Sequence, residues 1–213
     1  MHAPALEPIA RNNRVLVIDD NPAIHEDVRK ILCPKVSEAS VSLDALEAEL
    51  LGDDRASLRP TAAFHVDDAH QGREGLELVK KAVAEGQPYA MAFVDVRMPP
   101  GWDGVETTLE LWKVAPSLQI VICTAYSDYS WDEMLTKLGS SDRLVVLKKP
   151  FDTIEVLQLA NALTAKWNLQ QQARAHAAEL ERRVRERTSA LEATNTTLHA
   201  EITRRIAMEL DLK

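Results

Sequence analysis

The stretch YAMAFVDVRMPPGWDG, residues 89–104, decides the fold. Six mostly apolar residues, Tyr89 to Val94, run straight into one acid, Asp95, and a turn rich in Pro and Gly follows at once. A continuous apolar run bounded by turn signals predicts a strand buried on both faces. A carboxylate at the end of such a strand sits where open α/β sheets form their ligand crevice. Taken alone, Asp95 serves equally well as a cap on the following turn. The rest of the chain separates the two readings.

Working outward, the same pattern recurs. Arg14–Ile18 (RVLVI) is a β-branched run ending in Asp19 and Asp20, after which Asn21 and Pro22 supply the cap and first-turn proline of a helix to about Leu32. Thr61–Asp67 (TAAFHVD) reads as a second strand. A helix from about Gln71 to Glu85 follows, with Leu76, Val79 and Val83 on its apolar face, and Gly86-Gln87-Pro88 ends it. Beyond the opening stretch come a helix from about Val105 to Val114 and a strand, Leu118–Cys123, that stops at Thr124-Ala125. A helix from about Trp131 to Leu138 follows, then a strand, Leu144–Leu147, that stops at Lys148-Lys149-Pro150, and a last helix starts near Asp152. This alternation predicts an α/β fold, a doubly wound five-stranded parallel sheet occupying residues 14–165. Residues 1–13 read as a loose leader. Residues 33–60 form an unusually long connection in which Leu43, Leu46 and Leu50 are spaced as on a short amphipathic helix, either a partner surface or a lid.

Composition narrows the function classes. The 213 residues are 46% hydrophobic and 27% charged, as in ordinary globular proteins. No apolar run is long enough to span a bilayer, and there is no signal-peptide pattern. Two cysteines, Cys33 and Cys123, point to a reduced, cytoplasmic setting without a disulfide framework, and no Cys/His cluster has zinc-ligand spacing. Residues 166–213 carry nine Lys and Arg against seven Asp and Glu, which leaves the first 165 residues with 16 against 26. So acidic a body argues against non-specific nucleic-acid binding.

In the predicted sheet the C-terminal strand ends deliver Asp19 and Asp20, Asp95, Thr124 and Lys149 to one edge. Acids gathered there repel one another unless a cation intervenes. A hard divalent ion such as Mg²⁺ takes oxygen ligands and leaves room for phosphate oxygens, and Lys149 adds a second positive charge. With these residues in place, the chain from about Arg14 to Trp167 resembles the receiver domain of two-component response regulators. The resemblance rests on Asp19-Asp20, Asp95 within VDVRMP, Thr124-Ala125 and Lys149-Pro150-Phe151.

The resemblance implies a flavodoxin-like fold and a phosphoacceptor with no catalytic turnover beyond its own phosphorylation and dephosphorylation. Asp95 would take a phosphoryl group from a histidine kinase or phosphotransfer protein. Asp20, Asp95 and the backbone carbonyl of Arg97 would hold Mg²⁺, with Asp19 acting through water. Lys149, joined to Pro150 by a cis bond, would pair with Asp95 and then with the phosphoryl oxygens, and Thr124 would swing toward them. One position departs from the family pattern: Val146 stands where the family usually carries an aromatic switch residue. Arg97 and Tyr126 flank the site as candidate modulators of hydrolysis, although Tyr126 also reads as an exposed loop residue. Trp102 reads as a reporter of the site or as a loop anchor. Two rival functions are a phosphatase using an aspartate nucleophile, which would want an acid where Arg97 stands, and a phosphorylation-independent dimerisation scaffold, which Val146 keeps open.

From Trp167 the chain changes character, without Gly or Pro to its end. Ala177, Leu180, Val184, Leu191 and Leu198 follow alternating three- and four-residue steps through Arg187 and Thr194, and Ile202 and Ile206 add a stutter. Residues 166–213 are thus expected to form a parallel coiled-coil homodimer, with a single solvated helix as the alternative. An unbroken helix would reach about 70 Å from Trp167. Glu186-Arg187-Thr188 resembles the signature of signalling helices, which join sensor and output modules. The expected output lies outside this chain: Glu201–Lys213 resembles the approach to a histidine-kinase dimerisation helix, and a cyclic-di-GMP module is the second expectation.

Overall fold

A computed structural model of the chain describes residues 11–34, 64–125, 136–139 and 141–210, with side chains to residue 205. The elements are β1 (Arg14–Ile18), α1 (Pro22–Leu32), β2 (His65–Ala69), α2 (Gly72–Ala84), β3 (Met91–Asp95), α3 (Gly104–Val114), β4 (Gln119–Thr124), β5 (Leu144–Lys148) and α4 (Thr153–Leu210). The strands form one parallel sheet in the order β2-β1-β3-β4-β5, the expected doubly wound arrangement.

Side chains alternate along each strand, so the sheet has two cores. Leu16, Ile18, Ala92, Val94, Ile120 and Ile122 face Leu76 and Val79 of α2 and Val105 and Leu111 of α3. Val15, Val17, Met91, Phe93, Val121 and Cys123 face Val28 and Leu32 of α1 and Val156, Ala160 and Leu163 of α4. Every residue of β3 is buried, as the opening stretch predicts for a central strand.

The helices start where the sequence supplies caps. The Asn21 side chain accepts from the Ala23 N–H, with Pro22 in the first turn. Asp103 accepts from the Glu106 N–H at 2.7 Å. At α4, Asp152 accepts from Ile154 N–H and Glu155 accepts from Asp152 N–H, a reciprocal capping box.

Several expectations shift. β2 occupies His65–Ala69, running two residues past the expected end at Asp67, and residues 61–63 of the expected strand lie outside the described residues. Asp67 and Asp68 belong to this edge strand because cations neutralise them: Arg14 reaches Asp67 and Arg29 reaches Asp68. On α2 the buried positions are Leu76, Val79 and Ala82, and Val83 is exposed. Asn12, placed by the sequence in a loose leader, is pinned: its N–H donates to the Asn168 side chain, whose amide donates back to the Asn12 carbonyl, each at 2.9 Å. Of the helix expected over 131–138, residues 136–138 are helical and the remainder lies outside the described residues, as do Tyr126 and the connection beyond Pro34. Both Lys149-Pro150 and Pro99-Pro100 are cis.

The chain divides into two compact units, Met1–Asn168 and Leu169–Lys213, and α4 passes from one into the other. In the second unit Leu180, Val184, Leu191, Leu198 and Ile202 are all more than half exposed. No described helix is long and apolar enough to cross a membrane.

Gly104 couples the fold to the end of β3. A Cβ at this position would lie 2.3 Å from the Asp95 carbonyl oxygen. Gly104→Ala is therefore expected to cost about 2 kcal/mol of stability, measured as a lower urea midpoint at unchanged slope.

Candidate functional site

The order of strands reverses between β1 and β3, and the crevice of such a sheet opens at the C-terminal ends of these strands. Asp19 and Asp20 follow β1, Asp95 closes β3, Thr124 closes β4 and Lys149 follows β5. Carboxylate oxygens of Asp19, Asp20 and Asp95 lie within 4.8 Å of one another. Asp19 and Asp95 are buried, whereas Asp20 stands exposed at the rim. The Lys149 ammonium bridges the buried pair, 2.6 Å from Asp19 Oδ2 and 2.5 Å from Asp95 Oδ1.

The remaining oxygens are also held. The Asn21 N–H donates to Asp19 Oδ1 at 2.9 Å, and the Arg97 N–H donates to Asp95 Oδ2 at 3.0 Å. Burial pushes the Asp95 carboxyl above its ordinary value. The hydrogen bond and charge of Lys149 pull it down, the Asp19 charge raises it further, and the net shift is upward. Burial alone would lower the Lys149 ammonium, but its bonds to Asp19 and Asp95 outweigh that and hold it above the usual lysine value. Cys123, paired with Asp95 in the sheet register, has its thiol pushed up to about 12 by burial.

A known family matches over half the chain: the family model of the response regulator receiver domain covers residues 54–161, which include Asp95, Thr124 and Lys149. The chain belongs to this family. As a receiver it is a component of phosphorelay signalling. The matched segment excludes β1 and α1, which the long connection separates from it in sequence, yet β1 lies between β2 and β3 in the sheet.

Among curated relatives, the photosynthetic apparatus regulatory protein RegA of Cereibacter sphaeroides is 32% identical over 123 residues, covering 55% of this chain and 60% of that protein. The response regulator MprA of Mycobacterium ulcerans is 29% identical over 157 residues, covering 74% of this chain and 52% of that protein. The chain thus spans little more than half the length of these relatives. Among solved structures, an adenylate cyclase from Rhodopirellula baltica aligns with a TM-score of 0.55 at 20% identity, covering 78% of this chain and 98% of that one. A CheY-like response regulator receiver domain protein from Methanospirillum hungatei aligns with a TM-score of 0.50 at 18% identity, covering 74% and 97%. These structural likenesses concern the fold.

The receiver brings together the residues singled out from sequence, with differences in detail. Asp19, Asp20, Asp95 and Lys149 form one cluster. Thr124 is buried at the neighbouring strand end, with its hydroxyl donating to the Ala125 carbonyl at 3.0 Å. Val146 is half-buried against the aliphatic core on the α2–α3 side. Trp102 also packs on that core, beneath the Arg73 guanidinium, as a loop anchor would. His25 escaped the sequence reading although it is buried beside the acids. Its signal was present: residues 25, 28 and 32 make one apolar stripe of α1, and a histidine within such a stripe needs polar partners.

An acid whose folded-state pKa is raised binds more protons folded than unfolded between the two values, so its ionisation subtracts from stability as pH rises through that window. Asp95→Asn imitates the protonated form. In metal-free buffer it is expected to melt above wild type at about pH 7, with the gap closing toward about pH 4, as read by calorimetry across pH.

Proposed function

We propose that the chain is a Mg²⁺-dependent phosphoacceptor that takes a phosphoryl group on Asp95 from a histidine kinase or phosphotransfer protein, and signals through a dimeric coiled coil. The observation that carries this reading is the Lys149 ammonium bound to both Asp19 and Asp95, with Asp20 alongside. One ammonium among three carboxylates leaves a net negative cluster built of oxygen donors, and such a donor set fits a hard divalent cation. Asp20, Asp95 and the Arg97 carbonyl would hold Mg²⁺ directly and Asp19 through water, and the bound ion would supply positive charge for phosphoryl oxygens.

The chain's own residues account for the transfer. A carboxylate oxygen of Asp95 forms the new bond to phosphorus as the phosphorus–nitrogen bond of the donor phosphohistidine breaks. The Arg97 N–H and Lys149 hold the carboxylate in position for that attack. Lys149 then exchanges carboxylate for phosphoryl oxygen, a contact that neutralises charge as the transfer proceeds. Turning its hydroxyl from Ala125 toward the new phosphoryl group would let Thr124 report occupancy. With Val146 packed among aliphatic side chains, the readout passes through Thr124 and Lys149 without an inward-moving aromatic at that position. Arg97, and Tyr126 beyond the described residues, remain the proposed modulators of hydrolysis. The receiver would occupy residues 14–165 and its signalling helix 166–213. A histidine kinase is the first candidate output module and a cyclic-di-GMP module the second.

Val146 also favours a second reading, a receiver that dimerises without being phosphorylated. Acetyl phosphate with Mg²⁺ separates the two. Wild type is expected to gain about 80 Da by intact-mass spectrometry and Asp95→Ala to gain nothing. Wild type that stays unmodified would leave the scaffold reading standing. For the tail, the exposed stripe from Leu180 to Ile202 supports self-association through a second copy. Light scattering at micromolar concentration is expected to give twice the monomer mass, and Leu191→Lys to raise the dimer dissociation constant at least about tenfold by burying a charge in the seam.

A further inference from the structure

His25 lies on the buried stripe of α1, outside every role assigned so far. It is 4% exposed, and its Nε2 lies 2.7 Å from the Asp19 main-chain oxygen. A carbonyl oxygen only accepts, so Nε2 donates. Nδ1 lies 3.3 Å from Asp68 Oδ1, and neither of these two buried atoms makes a hydrogen bond among the described residues. Asp68 is anchored in turn by Arg29, and the His25 ring meets His70 edge-on, with centroids 4.7 Å apart. The turn after β1 is therefore held from two sides: the Ala69 carbonyl of β2 accepts from the Asp19 N–H at 3.1 Å, and the His25 imidazole of α1 donates to the Asp19 carbonyl.

That carbonyl belongs to the peptide plane from which Asp20 projects, so its orientation sets where the Asp20 carboxylate points. The Asp19 side chain is already fixed by Asn21 and Lys149. Asp20 is exposed, and among the described residues no hydrogen bond or ion pair holds its carboxylate. We propose that His25 is a positioning residue for divalent-cation binding: its hydrogen bond to the Asp19 carbonyl preorganises Asp20 against Asp95. This inference rests on the proposed metal site. It predicts that removing the bond weakens cation binding beyond any loss of stability, because the ion must then order the turn itself.

The test titrates the full chain with Mn²⁺ alone, a paramagnetic probe whose free fraction is read by electron paramagnetic resonance, alongside thermal unfolding. His25→Leu is expected to raise the Mn²⁺ dissociation constant about tenfold. His25→Gln, whose amide can donate near the Nε2 position, is expected to stay within about threefold of wild type. Val28→Ala on the same helix stripe is expected to lower the melting temperature without moving the Mn²⁺ constant. Should His25→Leu not unfold cooperatively, His25→Asn replaces it, since its shorter amide can address Asp68 but not Asp19. A folded His25→Leu or His25→Asn that binds Mn²⁺ as wild type does would overturn the proposal, as would an equal weakening in Val28→Ala. Wild type that binds no Mn²⁺, with Asp20→Ala unchanged from it, would instead overturn the metal-site reading and this inference with it.

Discussion

Repulsion among like charges is the constraint on which the receiver depends. Asp19, Asp20 and Asp95 meet at one sheet edge, and two of the three are buried. Two unit charges about 5 Å apart at an effective dielectric near 20 repel by about 3 kcal/mol, which would spread the turns after β1 and β3. Lys149 opposes this from β5, and backbone N–H groups from Asn21 and Arg97 take up the other oxygens. The fold bears the remainder by burying β3 completely between β1 and β4. A site under this tension is receptive to additional positive charge.

Much of this was legible in the chain because strand ends announce themselves. RVLVI, MAFVD, QIVICT and LVVLK are short, largely apolar and followed by turn chemistry, so the polar residues at or just after their ends fall on a common edge once the strands are parallel. β2 was harder. HVDDA carries two adjacent acids that imitate a solvated turn, and cations distant in sequence, Arg14 and Arg29, make it a strand. Periodicity likewise gave the helical character of α2 and two residues of its inward face, Leu76 and Val79, but not the third, since Ala82 is buried and Val83 is not. His25 was missed for a related reason: its partners, Asp19 and Asp68, are local to the site but not to the helix that carries it. Residues whose partners come from other elements are those that pattern alone reads least well.

The first turns of α4 have a mechanical consequence. This helix begins beside the acids, just after Lys149-Pro150-Phe151, and reaches Asn168 at the opposite edge of the sheet, where Asn12 clasps it. Between those points Val156, Ala160, Leu163 and Trp167 are buried in steps of four and three residues, so the segment lies seated along its length. A seated helix resists bending but can slide or roll by small amounts. A displacement near Lys149 would load such a helix along or about its axis before it bent it. Within the first unit the helix is therefore a stiff rod between the site and Asn168.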